Sequence, residues 1–149
     1  MIRKATLADT KEIHQLLLGF AKNGLLLSRS LAEIYEGIRD FQVDEVDGRV
    51  VGVVALSLYW EDLAEVRSLA VHPDFGGRGI GRALVEACVL EARALGLKQL
   101  FALTYQPDFF SRLGFKPVEK SNLPQKIWRD CMKCAKFPDC DELAFIFEL

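Results

Sequence analysis

The sequence predicts an α/β (α+β) fold, a mixed central β-sheet with helices on both faces. Three observations carry this. Apolar runs of strand length alternate with segments of helical spacing in the order βααβββαβαβ. Asp47-Gly48 sits between two β-branched runs, the signature of a tight hairpin, so part of the sheet is antiparallel. A long helical run, 82–95, separates two apolar strands as a crossover.

The elements follow in order. Residues 2–5 form a short first strand. Asp9 and Glu12 are spaced as a capping box ahead of Ile13, Leu16, Leu17 and Phe20, which recur at helical spacing. Asn23-Gly24 ends that helix. Leu25, Leu26 and Leu27 read as a loop tucked under other elements. Ser30 with Glu33 is a second capping box, opening a helix to about Arg39 and leaving Arg29 just before its start. The hairpin spans 41–46 and 50–59. Its second arm is almost continuously apolar through Val50, Val51, Val53 and Val54, as in a strand covered on both faces. Residues 65–71 make the next strand, broken by His72-Pro73. The helix after the glycines puts Ile80, Leu84, Ala87, Cys88 and Leu95 on one face, which makes Cys88 a core residue. Gly96 closes it. Strands over 98–104 and 143–149, and a short helix over 107–113, complete the chain.

At 149 residues the chain reads as a single domain. A net charge of −2 offers nothing to attract nucleic acid or an anionic membrane. No apolar run approaches the roughly 20 residues of a membrane span, and the N-terminus lacks the apolar core of a signal peptide. The expected compartment is the cytoplasm. The sequence leaves a homodimer open.

The stretch AEVRSLAVHPDFGGRGIG, 64–81, concentrates the chemistry. Four glycines (Gly76, Gly77, Gly79, Gly81) fall within six residues at the start of a helix. Such a loop gathers backbone N–H groups at the positive end of the helix dipole, where phosphate binds. A P-loop would need Lys and Ser/Thr where Arg82 and Ala83 stand. A dinucleotide fingerprint starting at Gly77 would need glycine at Arg82. Neither nucleotide motif fits.

A strand ending in V-x-P, followed by a loop and R-G-x-G, resembles motif A of the GNAT N-acetyltransferases. Gly79-Ile80-Gly81 fills the motif's second half, and Gly76 stands where the family usually has Gln or Arg. The strand 98–104 and Arg112–Phe115 (RLGF) extend the likeness. Longer segments, GLLLSRS (24–30), LFALT (100–104) and LPQKIWRDCMKC (123–134), resemble short-form N-acetylglutamate synthases. Longer members of that branch carry an arginine-binding kinase-like domain, which is not expected in 149 residues.

The resemblance implies the GNAT fold and acetyl-CoA as cosubstrate. Its pyrophosphate would lie on the N–H groups of Gly76, Gly77, Arg78, Gly79, Ile80, Gly81 and Arg82, with charge added by Arg78 and Arg82. Its pantetheine would run along Leu69, Ala70 and Val71. Acetyl transfer needs a neutral amine, and an α-amine is largely protonated at neutral pH, so a general base is expected. Glu65 occupies the position where several members carry a catalytic glutamate. A backbone N–H near Leu69-Ala70 would meet the oxyanion. Many relatives place an acidic tyrosine where this chain has Phe110, which leaves the role absent, passed to water, or taken by Tyr105.

By the same resemblance the small-molecule acceptor is L-glutamate, giving N-acetyl-L-glutamate, the first step of arginine biosynthesis. Alternatives are another small amine, a protein N-terminus, or a non-catalytic acetyl-CoA-binding regulator. Two carboxylates call for two cationic clamps. Candidates are Arg29, Arg67 (two residues from Glu65, so on its face of the strand), and Lys126 with Arg129. Cys131, Cys134 and Cys140 are three candidate ligands for Zn²⁺ or an iron–sulfur centre, one short of a closed site. Simple thiols and a Cys131–Cys134 redox pair are the other readings.

Overall fold

A computed structural model describes residues 1–24, 26, 29–123 and 142–149. Strands β1 (Ile2–Lys4), β2 (Phe41–Val46), β3 (Arg49–Leu58), β4 (Leu63–Val71), β5 (Gln99–Thr104), β6 (Lys116–Val118) and β7 (Leu143–Glu148) form one sheet in the order β1-β2-β3-β4-β5-β7-β6. Among the described residues β4–β5 is the parallel pairing and the others are antiparallel, so the sheet is mixed as expected. Helices α1 (Thr10–Lys22) and α2 (Leu31–Glu36) cover one face; α3 (Ile80–Ala94) and α4 (Pro107–Arg112) cover the other. β6 adds a strand that the sequence did not suggest: it is three residues long and carries Pro117, tolerable at a sheet edge.

Asp47 and Gly48 both have positive φ (51° and 78°), the paired left-handed geometry of a two-residue hairpin turn. α1 starts differently from the expectation. A 3-10 turn, Leu7–Asp9, precedes it, and the capping pair is Thr6 with Asp9, Thr6 N–H donating to Asp9 Oδ2 at 2.7 Å. Glu12, expected to close the box, instead accepts the Val50 N–H at 3.0 Å and ties the helix to β3. The Ser30–Glu33 box forms in both directions, at 3.1 and 3.2 Å. That helix stops at Glu36 rather than near Arg39, because Gly37 ends it and a 3-10 turn, Ile38–Asp40, leads into β2.

β3 is buried on both faces. Val54 and Leu56 join the cluster under α3 with Leu84, Val85 and Cys88; Val53 and Ala55 join the cluster under α1 with Ile13, Leu17 and Phe41. Cys88 is fully buried, and desolvation pushes its thiol up to about 12, the inert core residue its spacing implies. Within β3, Gly52 lets α3 approach: a Cβ there would come 2.9 Å from Ile80 Cγ2 and 3.0 Å from Leu84 Cδ1. None of the helices described is long and apolar enough to cross a membrane.

Near the edge of the sheet, Arg3 donates to Asp9 Oδ2 at 2.7 Å and Oδ1 at 2.9 Å, and to Glu45 at 2.8 Å. The Arg3 hydrogen bonds pull the buried Asp9 carboxyl down to about 2, against the desolvation that would raise it. Its folded value lies below its unfolded one, so the anion stabilises the fold above about pH 4 and that contribution fades as pH falls toward 2. Urea unfolding of wild type and Asp9→Asn should therefore differ by about 2 kcal/mol at pH 7 and converge near pH 2. Gly52→Ala should cost about 1–3 kcal/mol by overpacking beneath α3, read as a lower urea midpoint at unchanged slope.

Candidate active site

The register of β4 determines what this strand presents. It pairs with β5 only at Leu63–Gln99, Ala64–Leu100 and Glu65–Phe101, although β4 continues to Val71 and β5 to Thr104. Beyond Glu65 the two strands part, leaving a wedge between them. On its other edge β4 contains a bulge. Val53 pairs with Ala70 and Ala55 with Arg67, so Val54 alone lies opposite both Ser68 and Leu69. Ser68 takes up the extra residue at φ +54°.

The bulge reverses the alternation of the strand. Before it, Ala64 and Val66 pack toward α3, which turns Glu65 and Arg67 to the α1–α2 face. After it, Leu69 and Val71 pack with the α3 cluster and Ala70 with the α1 cluster. The backbone shifts likewise. His72 donates its N–H to Val51 O at 2.7 Å, so the peptide groups of Val71 and Leu69 turn away from β3 and toward the wedge, while those of Ala70 face β3.

Glu65 is 8% exposed. Its Oε1 accepts the Tyr59 hydroxyl at 3.0 Å and lies 3.8 Å from Arg67 Nη1. The Tyr59 ring leans on Phe101 at 5.5 Å. Arg29, at the start of α2, reaches the same face: its Nη1 donates to Ser68 Oγ at 3.3 Å and its guanidinium stacks 5.1 Å from the Phe41 ring centroid. Asp40 completes the group. Burial raises its carboxyl above the usual range, opposed by the nearby charges of Arg29, Lys4 and Arg67. The structure thus brings Glu65, Arg67 and Arg29 to one side of the sheet.

Tyr59, Ser68 and Asp40 were not singled out from sequence. Tyr59 lies just past β3 and finds Glu65 only through the β3–β4 register. The Ser68 bulge has no glycine to mark it. Asp40 passes for a turn residue.

The glycine loop starts from His72, whose Nδ1 accepts the Asp74 N–H at 3.1 Å above a 3-10 turn, Pro73–Phe75. Gly77 and Gly79 have φ +75° and +77°, with no atom within 4 Å of a Cβ built on either, so the backbone there is open to a ligand. Gly79 caps α3, whose first N–H groups have no intrahelical acceptor. Ile80 turns its side chain onto β3 at Gly52 and so presents only backbone to the loop. Gly81 is held close to Phe109, 3.4 Å from where a Cβ would stand. Arg78 stacks over Phe75 at 4.7 Å, and Arg82 pairs with Glu86 at 2.9 Å along the helix. With an open, positively polarised cradle beside a wedge lined by peptide groups, the residues suit a ligand with a phosphate head and an amide-bearing arm.

The comparisons agree. A profile of the acetyltransferase (GNAT) domain matches residues 38–117. An N-acetyltransferase of Chlorobaculum tepidum, described as uncharacterized, is 45% identical over 97% of this chain and 94% of its own. The chain belongs to the GNAT family. It is an acetyltransferase of that type, and its likeness to N-acetylglutamate synthases holds as well. The amino-acid acetyltransferase of Mycobacterium tuberculosis is 37% identical over 86% of this chain and 75% of its own. N-Acetylglutamate synthase of Neisseria gonorrhoeae, solved with coenzyme A and N-acetyl-glutamate, superposes with a TM-score of 0.92 at 28% identity. That match covers all of this chain and 35% of the Neisseria protein.

Tyr105 follows the last residue of β5, at the open end of the wedge. Phe110, where many GNAT members have tyrosine, is 5% exposed within a ring cluster with Phe109, Phe115 and Phe145 and brings no hydroxyl. Lys126, Arg129, Cys131, Cys134 and Cys140 lie outside the described residues. Among the described residues no group of three or more His, Cys, Asp or Glu is arranged to hold a metal ion. A cavity of about 590 Å³ lies between α1, the start of β3 and His72-Pro73, and among the described residues none of the predicted site residues lines it.

Proposed function

We infer that this GNAT chain transfers the acetyl group of acetyl-CoA to the α-amine of L-glutamate. The observation that carries the reading is the convergence of Glu65, Arg67 and Arg29 on the α1–α2 face of β4, where its pairing with β5 ends. A buried carboxylate with one guanidinium beside it and a second on the same face of the strand suits an amine whose own molecule bears carboxylates. The names of the Mycobacterium and Neisseria proteins, and the N-acetyl-glutamate in the latter's structure, support the choice of acceptor. The seven strands in one sheet support a single N-acetyltransferase domain.

In this reading the acetyl-CoA pyrophosphate rests on the N–H groups from Gly76 to Arg82, and the pantetheine runs in the wedge against the peptide groups of Leu69 and Val71. Arg78 and Arg82 add charge at the rim, and Ala70 backs the wedge. Glu65, directly or through one water, takes the proton of the glutamate ammonium. The neutral nitrogen attacks the thioester carbonyl and forms the C–N bond, and the Leu69 N–H is placed to meet the oxyanion. Collapse breaks the C–S bond, the nitrogen gives up its second proton as the amide forms, and the CoA thiolate leaves and takes up a proton, with Tyr105, just past β5, the candidate donor. Tyr59 holds Glu65 in place. Arg29 takes one carboxylate of the acceptor, and Arg67, Lys126 and Arg129 are the candidates for the other.

CoA-thiol release across amino acids and polyamines tests the reading. Release dependent on glutamate supports it, another acceptor replaces glutamate, and no release with any amine removes the catalytic reading altogether. Arg29→Ala should raise the KM for glutamate about 10- to 100-fold with little change for acetyl-CoA, as loss of a charged hydrogen-bonding partner does. Equal small effects on both would remove Arg29 from the acceptor site. Glu65→Gln should lower kcat by about 10²- to 10⁴-fold at neutral pH. Its deficit should narrow as pH rises and the acceptor amine loses its own proton. A variant as active as wild type across that pH range would leave Glu65 without the base role.

A further inference from the structure

Ser68 sits at φ +54°, a region that glycine enters at little cost and a residue with a side chain does not. Glycine would form the same bulge with less strain, so the hydroxyl is the feature that needs a reason. That hydroxyl is buried and accepts a hydrogen bond from Arg29 Nη1 at 3.3 Å, across 39 positions of sequence. The same guanidinium lies 5.1 Å from the ring centroid of Phe41, which is fully buried and cannot move aside. On the third side the turn after α2 closes in: Arg29 Nη2 and Asp40 Oδ2 both lie 3.8 Å from where a Cβ on Gly37 would stand, and the Asp40 carboxyl feels the Arg29 charge. A bulge, a ring and an acidic turn therefore hold one arginine head.

We propose that Ser68 is a positioning residue, whose hydroxyl, carried into place by the β4 bulge, aims Arg29 at the carboxylate of the acceptor. The inference rests on Arg29 as the acceptor clamp, the reading given above. An arginine on a free stem loses much rotamer freedom when it grips a ligand, and one already held loses less, which strengthens binding without a new contact. Ser68 lies between Arg67 and Leu69, so the bulge that sets the clamp also turns the next residues toward the cofactor wedge. The hydroxyl itself acts on the acceptor through Arg29. Its loss therefore shows in acceptor binding, not in the chemical step or in acetyl-CoA binding.

Steady-state kinetics of Ser68→Gly and Ser68→Asn, each alone and with Arg29→Ala, test this. The acceptor used is whichever amine gives the fastest CoA release. Ser68→Gly keeps the positive φ and removes the hydroxyl, and Ser68→Asn tolerates the same φ and returns an oxygen acceptor. Ser68→Gly should raise the acceptor KM about 10-fold while kcat and the acetyl-CoA KM stay within about 2-fold. Its Tm should be no lower than that of wild type, which rules out a merely structural defect. Ser68→Asn should recover most of the loss, and neither change should add to Arg29→Ala. An unchanged acceptor KM, equal rises in both KM values, or additivity with Arg29→Ala would overturn the proposal. Where Arg29→Ala raises the acceptor KM and Ser68→Gly does not, the clamp stands and only the positioning role fails. Where Arg29→Ala changes nothing, both fail together.

Discussion

The extra residue in β4 is the constraint on which the site depends. A strand with unbroken alternation would send Leu69 and Val71 to the same face as Glu65 and Arg67. The Ser68–Leu69 bulge opposite Val54 divides the strand into two halves with opposite facing. The first half turns charge toward α1 and α2. The second half buries apolar side chains under α3 and turns its free peptide groups to the wedge. An acceptor and a thioester approaching from different sides can then meet at the middle of one strand. Bulges bend the strand that carries them, and here the pairing of β4 with β5 ends at Glu65, three residues before the bulge.

The other half of the arrangement is the anchoring of α3. Its N-terminal N–H groups are useful only if they stay in place relative to β4. Gly52 on β3 removes the one side-chain atom that would hold Ile80 and Leu84 away, and Gly81 fits against Phe109 of α4. The helix end is thereby wedged between the sheet and α4 while Gly77 and Gly79 keep the loop surface bare. Glycine serves two different ends within a short distance, close packing in one case and positive φ in the other.

Much of this was legible in the sequence where a residue type has few alternative uses. Asp47-Gly48 announced a hairpin because both positions need positive φ, and the glycine loop announced a phosphate cradle for a similar reason. The Ser30–Glu33 box marked the start of α2 and so the placement of Arg29. Legibility failed where the signal was shared or distributed. Thr6-x-x-Asp9 and Asp9-x-x-Glu12 are overlapping boxes, and the choice between them depends on Arg3 and Val50, which lie in strands. Gly52 within a valine run carries a signal of close backbone approach, but not which helix approaches. The Ser68 bulge carried none: serine is ordinary in a strand, and its unusual φ exists only once β3 has fixed the register. Tyr59 is hidden for the same reason, since its partner is chosen by the hairpin and not by spacing.

The charges of the site form a pattern that burial demands. Isolated ions on this half-covered face would be strongly penalised, yet the proposed base and clamps sit close together. The structure pairs them by sign: Glu65 with Arg67, and Asp40 within the field of Arg29. Each carboxylate lowers the cost of keeping its neighbouring guanidinium dry, and Arg29 opposes the rise that burial gives the Asp40 carboxyl. On the proposed reading an acceptor that brings both an ammonium and a carboxylate preserves that balance, its ammonium facing Glu65 and its carboxylate Arg29. A simple polyamine brings only positive charge and leaves the arginines opposed to it. On the proposed reading, the preference for an amino acid over a polyamine is therefore a property of the paired charges as a set, and Asp40 and Glu65 contribute to it as much as the arginines that hold the ligand.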